Sequence, residues 1–272
     1  MGTISPVSDY RSATSRQIDQ PRMTYLDMQA YVGITKHNGG LTATNELLSL
    51  CHMDEAHEVL EVGCGTGAGA THIAKKYGCH VVGIDLAEKM IAWSRRRAKE
   101  ERVEDKVDFQ VGDVLLLPFA DSHFDVVIVE SVLAFVEDKR RAIEECIRVT
   151  KPGGYVGLNE AYLTEDASPE IVDRFQASLG SDVPTVAGWQ SLWNETALQD
   201  RVMRFHRIDP RKEIRDRIQW IGWGWMLRGW GRFVRLYMTN ASVRQSLREM
   251  FDAPKDVMDQ IGYGLLAGRK TA

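Results

Sequence analysis

Three glycines at alternating positions follow a short apolar run, and an acidic residue stands two places before the first of them. The stretch reads Val59-Leu60-Glu61-Val62-Gly63-Cys64-Gly65-Thr66-Gly67. Glycines in such a turn let the backbone bend tightly and leave bare amides facing a ligand. Loops that bind phosphate favour anions, whereas a carboxylate at Glu61 suits a ligand with positive charge. The stretch therefore predicts a binding loop for a cationic ligand.

Acidic residues also end three later apolar runs, at the spacing expected of alternating strands and helices. Asp85 lies about twenty residues past the glycine turn, where nucleoside-binding folds place a carboxylate for ribose hydroxyls. Asp113 and Glu130 end the next two runs, and a fifth run follows a Pro-Gly-Gly turn at 152–154. Together these signals predict five strands between residues 57 and 160, each ending near one ligand site.

This order of motifs resembles the class I S-adenosylmethionine-dependent methyltransferases, with a methyltransferase type 11-like domain. The resemblance implies an α/β, doubly wound, Rossmann-like fold with a helical cap or insertion. Its seven-stranded sheet would be mostly parallel, with an antiparallel last strand. It also implies an enzyme that uses S-adenosylmethionine and releases S-adenosylhomocysteine. The cationic amino group and sulfonium of that cofactor, which carries no phosphate, suit Glu61.

The resemblance assigns cofactor contacts residue by residue. The glycine turn would line the methionine end, Asp85 would hold the ribose, and Asp113 would accept from the adenine amino group. The expected cofactor-binding residues are Glu61, Gly63, Cys64, Gly65, Gly67, Asp85, Leu86, Asp113, Val114 and Glu130. A nicotinamide-binding dehydrogenase is the main enzymatic rival, but its G-x-G-x-x-G turn lacks a preceding carboxylate, and Ala70 stands at its last position here.

Glu130 and Glu160 are candidate general bases, because an amine or hydroxyl acceptor must lose a proton. Glu130 could instead face the cofactor amino group, and Glu160 could pair with basic residues downstream. The sequence Glu130-Ser131-Val132-Leu133 lacks the Asn-Pro-Pro-Tyr-like signature that follows strand four in enzymes methylating DNA bases or amide nitrogens. Asn159-Glu160 is only a loose echo of metal-dependent members of the family, so no metal is expected.

The chain divides into four segments on this interpretation. Residues 1–22 would be a mobile tail, 23–56 a helical cover over the cofactor cleft, and 57–160 the cofactor-binding core. Residues 161–272 would hold cap helices and the last two strands, with an insertion at about 209–260. The expected acceptor-binding residues are Tyr25, Tyr31, His37, Trp189, Trp193 and Trp223. Aromatic side chains suit an apolar or cationic small-molecule acceptor.

The insertion combines aromatic and basic residues. Six large apolar side chains recur at helical spacing, which predicts one shared helical face: Trp220, Trp223, Leu227, Trp230, Val234 and Tyr237. Between Arg201 and Arg248 there are twelve Lys or Arg against three Asp or Glu, although the whole chain carries a net charge of −4. The segment could be a lid, an interfacial helix on anionic lipid, or a cap that buries its tryptophans. The aromatic residues form a packed stripe and do not alternate with basic residues, so the pattern does not suggest nucleic-acid binding.

Composition sets the remaining expectations. The 272 residues, 44% of them hydrophobic, suffice for one α/β domain with insertions. Four cysteines without C-x-x-C spacing favour reduced thiols and a cytoplasmic protein, with peripheral membrane contact left open. No signal peptide or membrane-spanning run is visible.

Two other functions stay open: a membrane-surface methyltransferase for a lipid or quinone precursor, and a non-catalytic cofactor-binding subunit. The acceptor atom and oligomeric state stay open as well.

Overall fold

The computed structural model describes residues 25–35, 37–53, 58–240, 243–245 and 259–271. The tail expected at residues 1–22 lies outside these ranges, and so does the side chain of Tyr25. The expected cover at 23–56 and the expected insertion at 209–260 are each described in part.

A single mixed sheet runs through the described residues, with its strands in the order β3-β2-β1-β4-β5-β7-β6. The strands are β1 (Glu58–Val62), β2 (His80–Asp85), β3 (Val107–Val111), β4 (Phe124–Glu130), β5 (Thr150–Leu163), β6 (Leu198–Arg207) and β7 (Ile261–Lys270). The first five are parallel to one another, and β7 runs antiparallel between β5 and β6. The expected fold class, including the seven strands and the antiparallel last strand, is confirmed.

Helices cover both faces of the sheet. They are α1 (Tyr25–Val32), α2 (Gly40–Leu50), α3 (Ala68–Tyr77), α4 (Glu88–Glu101), α5 (Lys139–Val149), α6 (Pro169–Leu179), α7 (Val186–Asn194), α8 (Pro210–Ile221) and α9 (Trp223–Thr239). A 3-10 turn occupies Leu133–Phe135, directly after β4.

The central strands are apolar along their whole length because both of their faces are covered. In β4 the side chains of residues 126–129 are fully buried. On one face they meet a cluster that includes Leu47 of α2, Ile73 of α3 and Ile91 of α4. On the other face they meet a cluster that includes Cys146 of α5 and Trp189 of α7. These layers fix the carboxyl ends of β1, β2 and β4 at one edge of the sheet.

The described aromatic segment at 210–239 is broken into two helices. Gly222 has a φ of 81° and separates α8 from α9, because only glycine adopts that backbone conformation at little cost. The expected single face is therefore wrong: Trp220 lies on α8, whereas Trp223 and the residues after it lie on α9. None of the helices in the described part of the chain is long and apolar enough to cross a membrane.

Candidate active site

The glycine turn after β1 needs its glycines for two reasons. Gly63, Gly65 and Gly67 have φ angles of 69°, 53° and 74°, in the left-handed region that other residues rarely adopt. A Cβ on Gly63 would also lie only 2.2 Å from the side chain of Val132. The turn bends tightly, as the glycines predicted, and it also fits closely under the segment that follows β4.

Glu61 lies beneath this turn and is 5% exposed. Its carboxylate accepts a hydrogen bond of 2.7 Å from the backbone N–H of Ala70, in the first turn of α3. A Cβ on Gly69 would sit 1.7 Å from Oε1 of Glu61, so the helix passes very close to the carboxylate. Burial raises the pKa of Glu61 to about 8, and the negative charge of Glu130 contributes to that rise.

Asp85 ends β2 on the neighbouring side of the turn. Its two carboxylate oxygens accept hydrogen bonds of 2.9 Å from the N–H groups of Gly65 and Ala87. Each oxygen keeps a second lone pair, so the carboxylate can still accept from ligand hydroxyls. Burial raises the pKa of Asp85. Leu86, the next residue, is 72% exposed, which leaves an apolar side chain beside this carboxylate.

The expected adenine end lies next to Asp85. Val111, the last residue of β3, pairs with Asp85, and the N–H of Gly112 donates to the carbonyl of Asp85 over 3.1 Å. Asp113 follows, and its carboxylate accepts from the N–H of Leu115 over 2.9 Å. Val114 is buried. The turn thus holds Asp113 at the same edge of the sheet, and its contact with adenine stays a prediction.

Glu130 ends β4 within a polar cluster. Its carboxylate accepts hydrogen bonds of 2.9 Å from the hydroxyl of Thr44 and from the side-chain amide of Asn159. Nε2 of His37 lies 3.6 Å from the same carboxylate and 2.9 Å from the hydroxyl of Thr44. The ring of His37 meets that of Trp220 edge to face, with centroids 4.4 Å apart.

Glu160, the second candidate base, lies next to the 3-10 turn that follows β4. It is fully buried, and Oε1 accepts the N–H groups of Val132 and Leu133 over 2.9 and 3.0 Å. Burial raises its pKa to about 7. Oε1 of Glu160 thus holds the first residues of the 3-10 turn in place, whereas Oε2 is buried without a hydrogen-bond partner among the described residues, and a role of Glu160 as a base stays a prediction.

The segment between α1 and α2 lies across the glycine turn. The methyl group of Thr35 is 2.8 Å from the position of a Cβ on Gly65, and its hydroxyl lies 3.2 Å from that of Thr66. Further along, the carbonyl of Asn38 accepts a hydrogen bond of 2.9 Å from Asn159. The described residues that contact the glycine turn thus lie between α1 and α2, and the cover expected at 23–56 stays a prediction.

The other expected acceptor residues are spread over the molecule. Trp189 and Trp193 are fully buried, and the indole N–H of Trp189 donates to the carbonyl of Ala161 over 2.8 Å. They fill the core between α7 and the sheet, which corrects the expectation that they contact an acceptor. Tyr31 and Trp223 are 38% and 64% exposed, on α1 and α9. Among the expected acceptor residues with described side chains, the structure joins only His37 to the Glu130 cluster.

Thr44 and Asn159, which donate to Glu130, were not among the expected site residues. Thr44 lies 86 residues before Glu130, in the middle of a helix, and nothing in its local sequence marks it. Asn159 was noted only for its place beside Glu160, although its position opposite Glu130 in the pairing of β4 with β5 follows from the strand order. Pairing the ends of adjacent parallel strands could have found it.

The carboxylates around the glycine turn suit a cation. Glu61, Asp85 and Glu130 gather at the ends of three adjacent strands, and the charges of the last two raise the pKa of Glu61. Buried carboxylates are costly without a positive partner. A pyrophosphate would meet repulsion here, whereas the ammonium and sulfonium of S-adenosylmethionine would be attracted. Among the described residues, no group of three His, Cys, Asp or Glu is placed to hold a metal ion.

Comparisons with known proteins agree with this geometry. Residues 60–158 match the family model described as a methyltransferase domain. The chain is 41% identical over 111 residues to norajmaline N-methyltransferase of Rauvolfia serpentina, covering 41% of this chain and 38% of that protein. Phosphoethanolamine N-methyltransferase 2 of Haemonchus contortus aligns with a TM-score of 0.68 at 19% identity, over 93% of this chain and 59% of its own.

The structure of the cyclase SpnF also aligns, with a TM-score of 0.66 at 20% identity, over 90% of this chain and 92% of its own. At these identities the structural likeness shows the fold alone. The chain spans between 35% and 66% of the length of the first curated relatives that it matches. Because one neighbour with this fold is a cyclase, the reaction must be argued from the site.

Proposed function

Residues 60–158 form a class I S-adenosylmethionine-dependent methyltransferase domain, and from this premise we propose that the protein transfers a methyl group to a small-molecule acceptor. The observation that carries the proposal is the acidic crevice around the glycine turn, formed by Glu61, Asp85 and Glu130. These clustered carboxyl groups, with the pKa of Glu61 raised by burial and by its neighbours, suit a donor whose ammonium and sulfonium groups are positively charged. The N-methyltransferase among the relatives supports a nitrogen acceptor.

The cofactor-binding part of the site is proposed to lie at the carboxyl ends of β1, β2 and β3. The backbone amides of the turn at 63–67 and the carboxylate of Glu61 would hold the methionine end. Asp85 would accept from the ribose hydroxyls while Leu86 packs against the base, and Asp113 with Val114 would receive the adenine edge. When bound, S-adenosylmethionine supplies a methyl group on a positively charged sulfur.

The acceptor end is proposed to lie at the Glu130 cluster. Nε2 of His37 lies 3.0 Å from the carbonyl of Gly40, which can only accept, so Nε2 would donate and Nδ1 would be the free acceptor. His37 would take the proton that an amine acceptor loses. The carboxylate of Glu130, fixed by Thr44 and Asn159, would stabilise the imidazolium from 3.6 Å. This arrangement orients the acceptor and moves one proton without a covalent intermediate.

The test has to separate binding from turnover, because the cyclase SpnF shares the fold. Calorimetric titration with S-adenosylmethionine and S-adenosylhomocysteine should show binding of both. Incubation with a panel of primary, secondary and tertiary small amines should then give S-adenosylhomocysteine and a product heavier by one methylene. If neither S-adenosylmethionine nor S-adenosylhomocysteine binds, the proposed methyltransferase activity is wrong. Binding without turnover across amines, phenols and thiols would favour a non-catalytic cofactor-binding subunit instead.

The Glu130→Gln variant tests the acceptor end. The amide keeps one acceptor for Thr44 and Asn159 but loses the charge beside His37. We expect kcat to fall about 100-fold, the usual size of a lost acid–base contribution, with little change in the affinity for S-adenosylhomocysteine. Equal loss of cofactor affinity and kcat would show that Glu130 serves the cofactor amino group.

A further inference from the structure

Helix α9 exposes a continuous apolar face. Six large side chains on it are between 44% and 74% exposed: Trp223, Leu227, Trp230, Val234, Tyr237 and Met238. At about 100° per residue, these positions fall within an arc of about 100° around the helix. Soluble monomers rarely leave so many large apolar side chains together in water, and such patches mark interaction sites.

The orientation of α9 is fixed by its opposite face. Trp225 and Leu236 are 6% and 4% exposed, and Trp225 meets Trp93 of α4 edge to face, with centroids 5.6 Å apart. The guanidinium of Arg232 donates to the carbonyl of Val32 over 2.6 Å. A Cβ on Gly229 would lie 2.1 Å from Ile34. The helix is thus docked on α1 and α4 with its second apolar face turned outward.

All the charged side chains of α9 are positive. Its 17 residues include three arginines and no Asp or Glu. Arg228 and Arg235 are exposed, and the helical repeat places both beside one edge of the apolar arc. Arg228 pairs with Glu100 of α4 over 2.7 Å, an exposed ion pair that is weak in water and can exchange for a phosphate. Arg244 donates to backbone carbonyls near the carboxyl end of the helix. The surface is therefore apolar with a basic border.

We propose that α9 lies flat on an anionic lipid bilayer, with the apolar face at the acyl boundary and the arginines among the headgroups. Tryptophan and tyrosine mixed with leucine, valine and methionine on one face, beside basic residues, is the composition of interfacial helices. Each arginine near an anionic surface adds attraction.

A second copy of the chain matches this surface less well. A twofold interface would bring the same helix from both subunits together, and neither helix would supply an acid for the arginines. The bilayer proposal concerns where the protein docks and is independent of the acceptor. A failure to detect methyl transfer would leave the lipid-binding proposal intact. A failure to detect lipid binding would likewise leave the methyltransferase proposal intact.

The test uses the full chain and sedimentation with vesicles of phosphatidylcholine alone or mixed with phosphatidylglycerol. We expect binding to the mixed vesicles at low salt, weaker binding at high salt, and little binding to the neutral ones. Trp230→Asp and Leu227→Asp should each weaken binding at least about tenfold. Val172→Asp is the matched control, because Val172 is a 38% exposed apolar residue on α6, and it should bind as the parent does.

The basic border is tested by the double variant Arg228→Gln with Arg235→Gln. Its affinity for the mixed vesicles should fall about 25-fold, since each arginine near the surface contributes about fivefold. Arg140→Gln with Arg141→Gln on α5 is the control with the same change of charge. Thermal melting and S-adenosylhomocysteine binding must match the parent, which shows that a loss is not unfolding.

Three results would overturn the proposal. The first is no sedimentation with either vesicle at low salt. The second is equal binding to neutral and anionic vesicles. The third is a dimer in analytical ultracentrifugation that Trp230→Asp, but not Val172→Asp, converts to monomer, which would assign the face to a second copy of the chain.

Discussion

In the free protein the fold disfavours ionisation of Glu61, and a bound cation would favour it. Burial and the charges of Glu130 and Asp85 raise its pKa, while the N–H of Ala70 only partly offsets them. The bound ammonium and sulfonium of the proposed cofactor would favour the charged carboxylate. Binding and deprotonation of Glu61 are therefore linked.

That linkage gives a prediction for proton release. At pH 7 the free protein holds a proton on Glu61, whose pKa is about 8, and the complex should not. Binding of S-adenosylmethionine should release close to one proton. Calorimetry in phosphate and in Tris measures this, because the apparent enthalpies differ by the proton number times the difference in buffer ionisation enthalpy.

The matched variant is Glu61→Gln, whose amide oxygen can still accept from Ala70. It should bind the cofactor more weakly by about 1–3 kcal/mol, and its binding enthalpy should be the same in both buffers. Proton release that persists in Glu61→Gln would assign the linked group elsewhere.

Site residues differed in how far the sequence could predict them. Glu61, Asp85 and Asp113 follow apolar runs at regular spacing, and the structure places all three at one edge of the sheet. Thr44 and Trp220 reach the Glu130 cluster only because α2 and α8 fold over it, and no local pattern records such packing. Trp189 and Trp193 failed as acceptor residues because an aromatic stripe looks the same whether it faces a ligand or the core.

Some elements carry clear end signals in the sequence. Helix α3 lies between Gly67 and Gly78, both in left-handed conformation, and α6 begins with the Ser168 cap before Pro169. Strand β6 starts at Leu198, where the sequence carries no comparable end signal. Its register shifts between Gln199 and Val202, so the alternation that marks a strand is lost there.

At the scale of elements, one buried arginine joins the glycine turn to the aromatic insertion. Arg97 of α4 is 3% exposed. It donates from Nε to the carbonyl of Thr66 over 3.1 Å and from a terminal nitrogen to that of Ile221 over 3.4 Å. Its guanidinium also lies 4.3 Å from the ring centroid of Trp225. The turn, α4 and the α8–α9 junction are thus held by a single side chain.

Arg97→Met should therefore destabilise the protein by about 2–4 kcal/mol, because two buried carbonyls lose their donor. The affinity for S-adenosylhomocysteine should also fall, since Thr66 belongs to the turn. Urea unfolding and calorimetry measure the two effects. Arg96→Met is the control: Arg96 is exposed and paired with Glu100, and its loss should cost less than about 1 kcal/mol. Equal stability of the two variants would contradict the bridging role.

For the whole molecule, the uneven charge is explained by the arrangement of elements. The acidic residues of the crevice lie at the carboxyl ends of the parallel strands, whereas α9 carries only arginines among its charged residues. The two surfaces suit different partners: a small cation inside the cleft and an anionic layer outside it. The net charge of −4 conceals this division, and the fold shows on which surfaces the two kinds of charge lie.

The buried acids also set how the stability of the free protein depends on pH. Glu61 and Glu160 have pKa values of about 8 and about 7 in the folded state, against 4.5 for an ordinary Glu. Between about pH 5 and 8 the native protein keeps protons that the unfolded chain has released. Stability contributed by these groups is present at low pH and is lost as pH rises through 7 and 8.

The free energy of unfolding in urea should therefore be lower at pH 8.5 than at pH 5.5 by at least about 2 kcal/mol. The double variant Glu61→Gln with Glu160→Gln removes both groups, so its unfolding free energy should change much less over this interval. Saturating S-adenosylmethionine should also reduce the difference, because it stabilises the ionised form of Glu61. A parent protein that is equally or more stable at pH 8.5 would show that the pKa values of Glu61 and Glu160 are not raised in the folded state.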